Sequence, residues 1–318
     1  MNPYKKCLVC YQSLVDQLYH PQCARKLFGK KVIPTLDLDQ NDIDELAGAL
    51  INRRLAMTGV QRKLSLQLES LSTQATDRLT LVGYLGGSHI LKPPAPEYPH
   101  MPEVEHLTMH LAEKCGIKTA PHGLIIMKDG QLAYITKRFD REGKKKIAVE
   151  DLCQLSEMMT EHKDKSTAER VGKVIRRYSS NPGDDALRYF EITVFSFLTG
   201  NADMHMKNFS MITDKPDRVT LSPAYDLLST RLLISEKDDP EELTLSVQGK
   251  KSSMKRSNFI FLGENLMIPE KAILGRLEEF IESQDVLMDA IRQSILPEHI
   301  KQEYQRLISI RFSRIKDS

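Results

Sequence analysis

Gly200-Asn201-Ala202-Asp203-Met204-His205-Met206-Lys207-Asn208, followed by Ser222-Pro223-Ala224-Tyr225-Asp226, is the stretch on which the reading of this chain turns. A carboxylate, Asp203, stands in a short polar loop. An amide, Asn208, follows five residues on, and a second carboxylate, Asp226, comes after an intervening hairpin. An apolar helical run, Phe190 to Leu198, leads into the loop, and Phe209-Ser210-Met211-Ile212 leaves it as a short strand. Phosphoryl transfer asks for such a set: one Asp to orient the attacking hydroxyl and accept its proton, an Asn and a second Asp to hold Mg²⁺ against nucleotide phosphates. Positioning and charge neutralisation supply most of that catalysis, so spacing carries much of the message.

Composition agrees and decides little. The 318 residues suffice for one large core or two lobes. Hydrophobic and charged contents of 41% and 28% are those of an ordinary soluble globular chain. A net charge of +2 gives no electrostatic reason for non-specific nucleic-acid binding. The basic runs Gly143-Lys144-Lys145-Lys146 and Gly249-Lys250-Lys251 read as solvated loops before binding sites. No run of about 18 apolar residues is present, and Met1 to Cys10 lack the apolar core of a signal peptide. A cytoplasmic location is expected.

Three of the five cysteines fall in the first 23 residues, as Cys7-Leu8-Val9-Cys10 and His20-Pro21-Gln22-Cys23. Two ligand pairs of this spacing suit a tetrahedral Cys₃His zinc site, each pair chelating from a tight turn. A disulfide is disfavoured in a reducing compartment, and chance clustering is the remaining reading. Four protein ligands would leave no open position, so the zinc would be structural. Cys115 and Cys153 lie in apolar helical patterns and read as buried, inert thiols.

Between these segments the pattern alternates. Asn41-Asp42 opens a helix with Ile43, Leu46, Ala47, Leu50 and Ile51 on one face. Alternation at Leu64, Leu66 and Leu68 predicts a strand, as do Leu79–Val82 and His89–Lys92. Lys92 ends an apolar run, which suits either a paired functional lysine or a strand-end surface lysine. Pro102 starts a helix with Glu103 and Glu105 in its first turn, and Gly116 ends it. Either Glu would partner Lys92, Glu105 being preferred, or simply favour the helix amino end. Lys128-Asp129-Gly130-Gln131 predicts a hairpin turn. From Val149 the periodicity is helical, through Leu152, Leu155 and Met159, then Ala168, Val171 and Ile175, then Leu187, Phe190, Val194 and Leu198. Ser229 to Glu242 is polar and irregular, which predicts a mobile segment, and three helices are expected beyond Pro269.

Together with Thr58-Gly59-Val60-Gln61 and Lys137-Arg138-Phe139-Asp140, the quoted loops resemble the signature of the HipA-type serine/threonine kinases, toxins of bacterial toxin–antitoxin systems. The resemblance runs from about Leu55 to the C-terminus. It implies an α+β, bilobal protein-kinase-like fold: a zinc-knuckle-like segment and linker over 1–35, a β-rich N-lobe over 36–140, and a helical C-lobe over 141–318. It implies ATP and Mg²⁺ as cofactors. Asp203 would be the general base, with Asn208 and Asp226 as Mg²⁺ ligands. Thr58, Gly59, Val60, Gln61, Arg62 and Lys63 would form the phosphate-covering loop, and Lys92 would be the ATP lysine. Lys137, Arg138 and Phe139 would be the adenine hinge, the first and last through their backbone, with Phe139 closing the pocket or packing in the core. His205, Lys207 and Tyr225 would brace the catalytic loop or approach the phosphates. By the same resemblance the substrate would be an aminoacyl-tRNA synthetase.

The larger family members carry an additional amino-terminal subdomain that this chain is too short to contain. It resembles the short, HipT-like form of three-component systems. The expected partners are a small antitoxin protein supplying the missing subdomain and a DNA-binding antitoxin, with no membrane and no direct DNA contact. Ala56 stands where long forms carry an autophosphorylated serine, so Thr58 becomes the expected autophosphorylation site. Two rivals differ in class: a small-molecule kinase, and a pseudokinase or zinc-dependent interaction module.

Overall fold

Leu132–Lys137 is buried along almost its whole length, and this strand, β6, organises the first of two units. The computed structural model describes residues 2–31, 34–45, 62–69, 77–82, 86–143 and 145–316. The first unit comprises Met1–His106 and Ala120–Arg138, the second Leu107–Thr119 and Phe139–Ser318.

In the first unit β1 (Thr35–Leu36), β2 (Leu64–Glu69), β3 (Arg78–Leu81), β4 (His89–Lys92), β5 (His122–Ile126) and β6 form one sheet, ordered β1-β3-β2-β4-β6-β5. All pairs are antiparallel except β1 with β3. The β5–β6 hairpin has the expected turn. Gly130 takes φ +86°, and the Asp129 carboxylate accepts the Gln131 N–H at 3.0 Å. Residues 40–45 are helical; the predicted positions Leu46, Ala47, Leu50 and Ile51 lie outside the described residues, as do Thr58 to Gln61. The helix Met101–Lys114, whose first residues belong to this unit and the rest to the second, is buried on nearly every side, so it reads as core rather than as an amphipathic surface helix.

The second unit is built on the helix Pro182–Thr199. Proline in its first turn and Asp184 and Asp185 beside it suit the amino end. Thr193, Ser196 and Thr199 are buried and donate to the carbonyls four residues back, at 2.9, 2.7 and 2.8 Å. Gly200 stops the helix at φ +69°, and a Cβ there would lie 2.6 Å from Leu307 Cδ2 and 2.9 Å from Arg231 Cβ. No other residue type combines that backbone with that space.

Three expectations fail locally. Ala148–Asp151 is strand β9, paired with β10 (Ser210–Lys215), not the start of a helix. Helix is limited to Leu152–Leu155, opened by an Asp151–Gln154 capping box, and the chain leaves it through Glu157 at φ +54° with Met159 61% exposed. Cross-strand pairing overrides the helical period there. Beyond Pro269 lie two described helices, Glu270–Gln293 and Glu298–Lys316; the third, Arg256–Asn265, precedes the proline. The segment after Ser229 is pinned rather than mobile. Arg231 donates to the carbonyls of Asp239 (2.5 Å) and Glu241 (2.7 Å). Arg311 and Arg314 hold Glu242 at 2.5 and 2.6 Å while both stack on Phe197.

Candidate active site and metal centre

The αL turn at Gly200 delivers a loop whose backbone is held from several directions. Asn201 N–H donates to Ser196 O at 2.8 Å, and the Asn201 side-chain oxygen accepts the Asp203 N–H at 3.2 Å. Asn208 Nδ2 donates to Asp203 O at 2.8 Å, and the Met206–Asn208 turn closes with Asn208 N–H on His205 O at 2.9 Å. These bonds fix the main chain at Asp203 while its carboxylate stays 64% exposed. A constrained backbone with an accessible carboxylate is what a general base requires. His205 Nε2 lies 3.9 Å from that carboxylate. Burial holds the imidazole pKa below its ordinary value, against the opposing charges of Asp203 and Asp226.

Asp226 sits at φ +55°, a left-handed backbone unusual for a non-glycine residue. The preceding Tyr225 donates its hydroxyl to Lys207 O at 2.9 Å and contacts Ser210 Oγ at 2.6 Å, tying the Asp226 segment to the Asp203 loop. Its ring lies 5.4 Å from that of Phe139. Two hydroxyls complete the loop. Thr230 Oγ1 accepts the Ala202 N–H at 2.9 Å, and Thr244 Oγ1 donates to Ala202 O. Thr230 lies in the irregular polar segment, where no local pattern signals that contact, and Thr244 follows it in the Leu243–Val247 stretch.

The remaining assigned residues belong to the first unit. Lys92 and Glu105 form an ion pair with side chains 4% and 0% exposed, and Lys92 Nζ lies 5.4 Å from the Tyr134 ring centroid. Glu103 instead faces His100 at 3.1 Å. A buried pair of this kind loses its solvation, so each partner depends on the other. Lys137 N–H donates to Pro121 O at 2.8 Å and Arg138 N–H to Ser88 O at 2.9 Å. An adenine contact at Lys137 would therefore fall to its carbonyl. Arg62 is exposed and paired with Asp44, and Lys63 is exposed beside it.

Cys7, Cys10, His20 and Cys23 converge, with Cys Sγ and His ring-nitrogen atoms all within 4.8 Å of one another. Cys10 Sγ and His20 Nδ1 are 3.3 Å apart. Tetrahedral zinc with bonds of about 2.0–2.3 Å needs donors of this kind at about this spacing, so the residues fit the metal. Hydrogen bonds from Cys10 and then Cys23 hold the Cys7 thiol well below its ordinary pKa. The knuckle is packed into the first unit. Cys7, Leu8, Tyr19 and Leu27 are buried; Leu8 O accepts the Leu124 N–H at 2.9 Å, and Tyr19 OH donates to Leu124 O at 2.5 Å. Gly123 has Val9 and Leu27 where a side chain would stand. The knuckle thus covers the edge strand β5. Of the other thiols, Cys153 is buried, and burial pushes Cys115 up to about 11.

The HipA-like C-terminal domain model matches residues 55–288, and the chain belongs to that family. The knuckle lies outside the matched residues. "Putative kinase Y4dM" of Sinorhizobium fredii is 32% identical over 224 residues, which is 66% of this chain and 54% of that protein. The serine/threonine-protein kinase toxin HipA of Shewanella oneidensis is 28% identical over 215 residues, 61% of this chain and 47% of HipA. The chain spans about half the length of these relatives. The HipA of a Shewanella oneidensis complex with HipB and operator DNA superposes with a TM-score of 0.67 at 21% identity, covering 85% of this chain and 71% of that one. That likeness establishes a kinase-like α+β fold. No described helix is long and apolar enough to cross a membrane.

Proposed function

We propose that this chain is an ATP- and Mg²⁺-dependent serine/threonine protein kinase that acts as the toxin of a toxin–antitoxin system. The observation that carries the reading is the Asp203 loop. An exposed carboxylate stands on a backbone clamped by Asn208, which is itself one of the two groups assigned to the metal. Asp203 orients the substrate hydroxyl and accepts its proton. Asn208 and Asp226 would hold Mg²⁺, which when bound neutralises charge on the phosphates. Lys92, paired with and directed by Glu105, would contribute a cation for the nucleotide phosphates. The zinc assigned to Cys7, Cys10, His20 and Cys23 is structural, since four protein ligands leave no site for water.

Family membership supports the finer parts of the reading. An aminoacyl-tRNA synthetase is the proposed substrate class. The proposed partners are a small antitoxin protein and a DNA-binding antitoxin, the latter by analogy with the HipA–HipB–DNA complex. Thr58 is the proposed autophosphorylation site. If Thr58 belongs to the phosphate-covering loop as the resemblance implies, a phosphate there would add about −1.5 to −2 charges beside the nucleotide's own phosphates and oppose its binding. The deciding experiment is transfer of labelled γ-phosphate from ATP-Mg²⁺ by the purified chain to itself and to a tRNA-synthetase panel. Labelling lost in Asp203→Ala and Asp226→Ala supports the kinase. Nucleotide binding without any transfer would favour a pseudokinase.

A further inference from the structure

Two routes, both inside the first unit and both meeting at Tyr134, lead from the knuckle to the Lys92–Glu105 pair. The first is a column of rings. Tyr11, next in sequence to Cys10, lies 5.0 Å from the His106 ring. His106 and His122 share an Nδ1–Nδ1 hydrogen bond of 2.8 Å, and the His122 ring is stacked at 6.2 Å on Tyr134. Tyr134 is the ring that Lys92 Nζ faces at 5.4 Å, and His106 is the chain neighbour of Glu105. The second route is the sheet itself. Leu8, next to Cys7, bonds Leu124, which stands opposite Tyr134, which stands opposite Lys92.

Tyr11 shows how the metal enters. It adopts φ +59°, and its N–H donates to Cys7 O at 3.0 Å, so the Cys7–Cys10 turn sets its position. A left-handed tyrosine is strained and needs its surroundings to hold it there. Tyr11 is buried, so neighbouring side chains and the Cys7–Cys10 turn hold it together, and a metal bound at that turn would add folding free energy there.

We propose that the Cys7–Cys10–His20–Cys23 cluster binds Zn²⁺ and that the metal-bound knuckle positions Lys92 and Glu105 for nucleotide through Tyr11, His106, His122 and Tyr134. Tyr11 is then a positioning residue, and zinc occupancy becomes a condition for tight ATP binding. Only the nucleotide part rests on the kinase reading; the coupling of metal to the ion pair does not.

The test uses the full chain, metal analysis, hydrogen exchange and titration with a fluorescent ATP analogue. The wild type is expected to carry one zinc per chain, lost in Cys10→Ser. In the zinc-free protein, amides of Leu132–Lys137 and of the first turns of Met101–Lys114 exchange faster, and ATP affinity falls about tenfold, a usual size for coupling between sites. Tyr11→Ala keeps its zinc yet loses the same affinity, whereas Tyr11→Phe, which retains the ring, keeps both. Failure to bind zinc on reconstitution overturns the proposal. So does unchanged exchange in those two segments after zinc removal, or unchanged ATP affinity in zinc-loaded Tyr11→Ala. Should the zinc-loaded wild type bind no ATP, the kinase reading falls, and the exchange data still decide whether the metal holds the Lys92–Glu105 region.

Discussion

At the scale of single residues, chemistry and environment separate cleanly. Asp203 is the proposed general base, on the spacing of an Asp, an Asn five residues on and a later Asp. Replacing it by Ala is expected to lower kcat at least about a hundredfold with little change in KM for ATP, as removal of a general base should. Steady-state kinetics on a phosphorylated target measures it, and an unchanged kcat would remove Asp203 from the mechanism. His89 was read only as part of a strand. In the fold its Nε2–H donates to Leu27 O and its Nδ1 accepts from Ser88, and burial drives its pKa from 6.5 to about 4. The depressed value means the unfolded chain binds more protons between those limits. Stability is therefore full above about pH 6.5 and declines as pH falls toward 4, by roughly 3 kcal/mol in all. Denaturant melts at pH 7 and pH 5 should show a larger loss for the wild type than for His89→Gln. An equal loss in both would discount the histidine.

Among elements, the strands and the long helices followed their periods, while the failures came where pairing or packing outweighs local preference. Leu152, Leu155 and Met159 keep a helical spacing, yet β9 is drawn into a sheet by β10, and Met159 ends in solvent. The segment after Ser229 has the composition of a mobile loop. It is ordered by arginines distant in sequence, which no local window reveals. That clamp makes a strong prediction. Glu242→Ala leaves Arg311, 2% exposed, without its carboxylate, and should cost about 3–5 kcal/mol in urea unfolding, since a buried charge is stranded. Replacing Glu242 together with Arg311→Met should recover much of that loss. Recovery that fails to appear would mean the segment is held chiefly by Arg231.

For the molecule as a whole, the expectation is that expression of the chain arrests growth and that Asp203→Ala abolishes the arrest while accumulating to the same level. Arrest that persists in the variant would move the toxic activity away from phosphoryl transfer, toward what the knuckle or another surface binds. The sequence by itself determined the kinase-like class and brought forward the Asp203–Asn208 loop, the later Asp226 and the convergent Cys7, Cys10, His20 and Cys23. Each of these is a matter of residue type at short spacing, written into a few consecutive residues. The tertiary structure decided that Glu105, already the preferred of the two glutamates, meets Lys92, and it alone decided that Thr230 and Thr244 hold the Asp203 loop. It also decided that the knuckle is built onto the edge of the sheet beside Tyr134 rather than standing apart. Those outcomes depend on contacts between residues far apart in the chain, where burial and the need to pair every buried polar group select one partner among several chemically equal candidates.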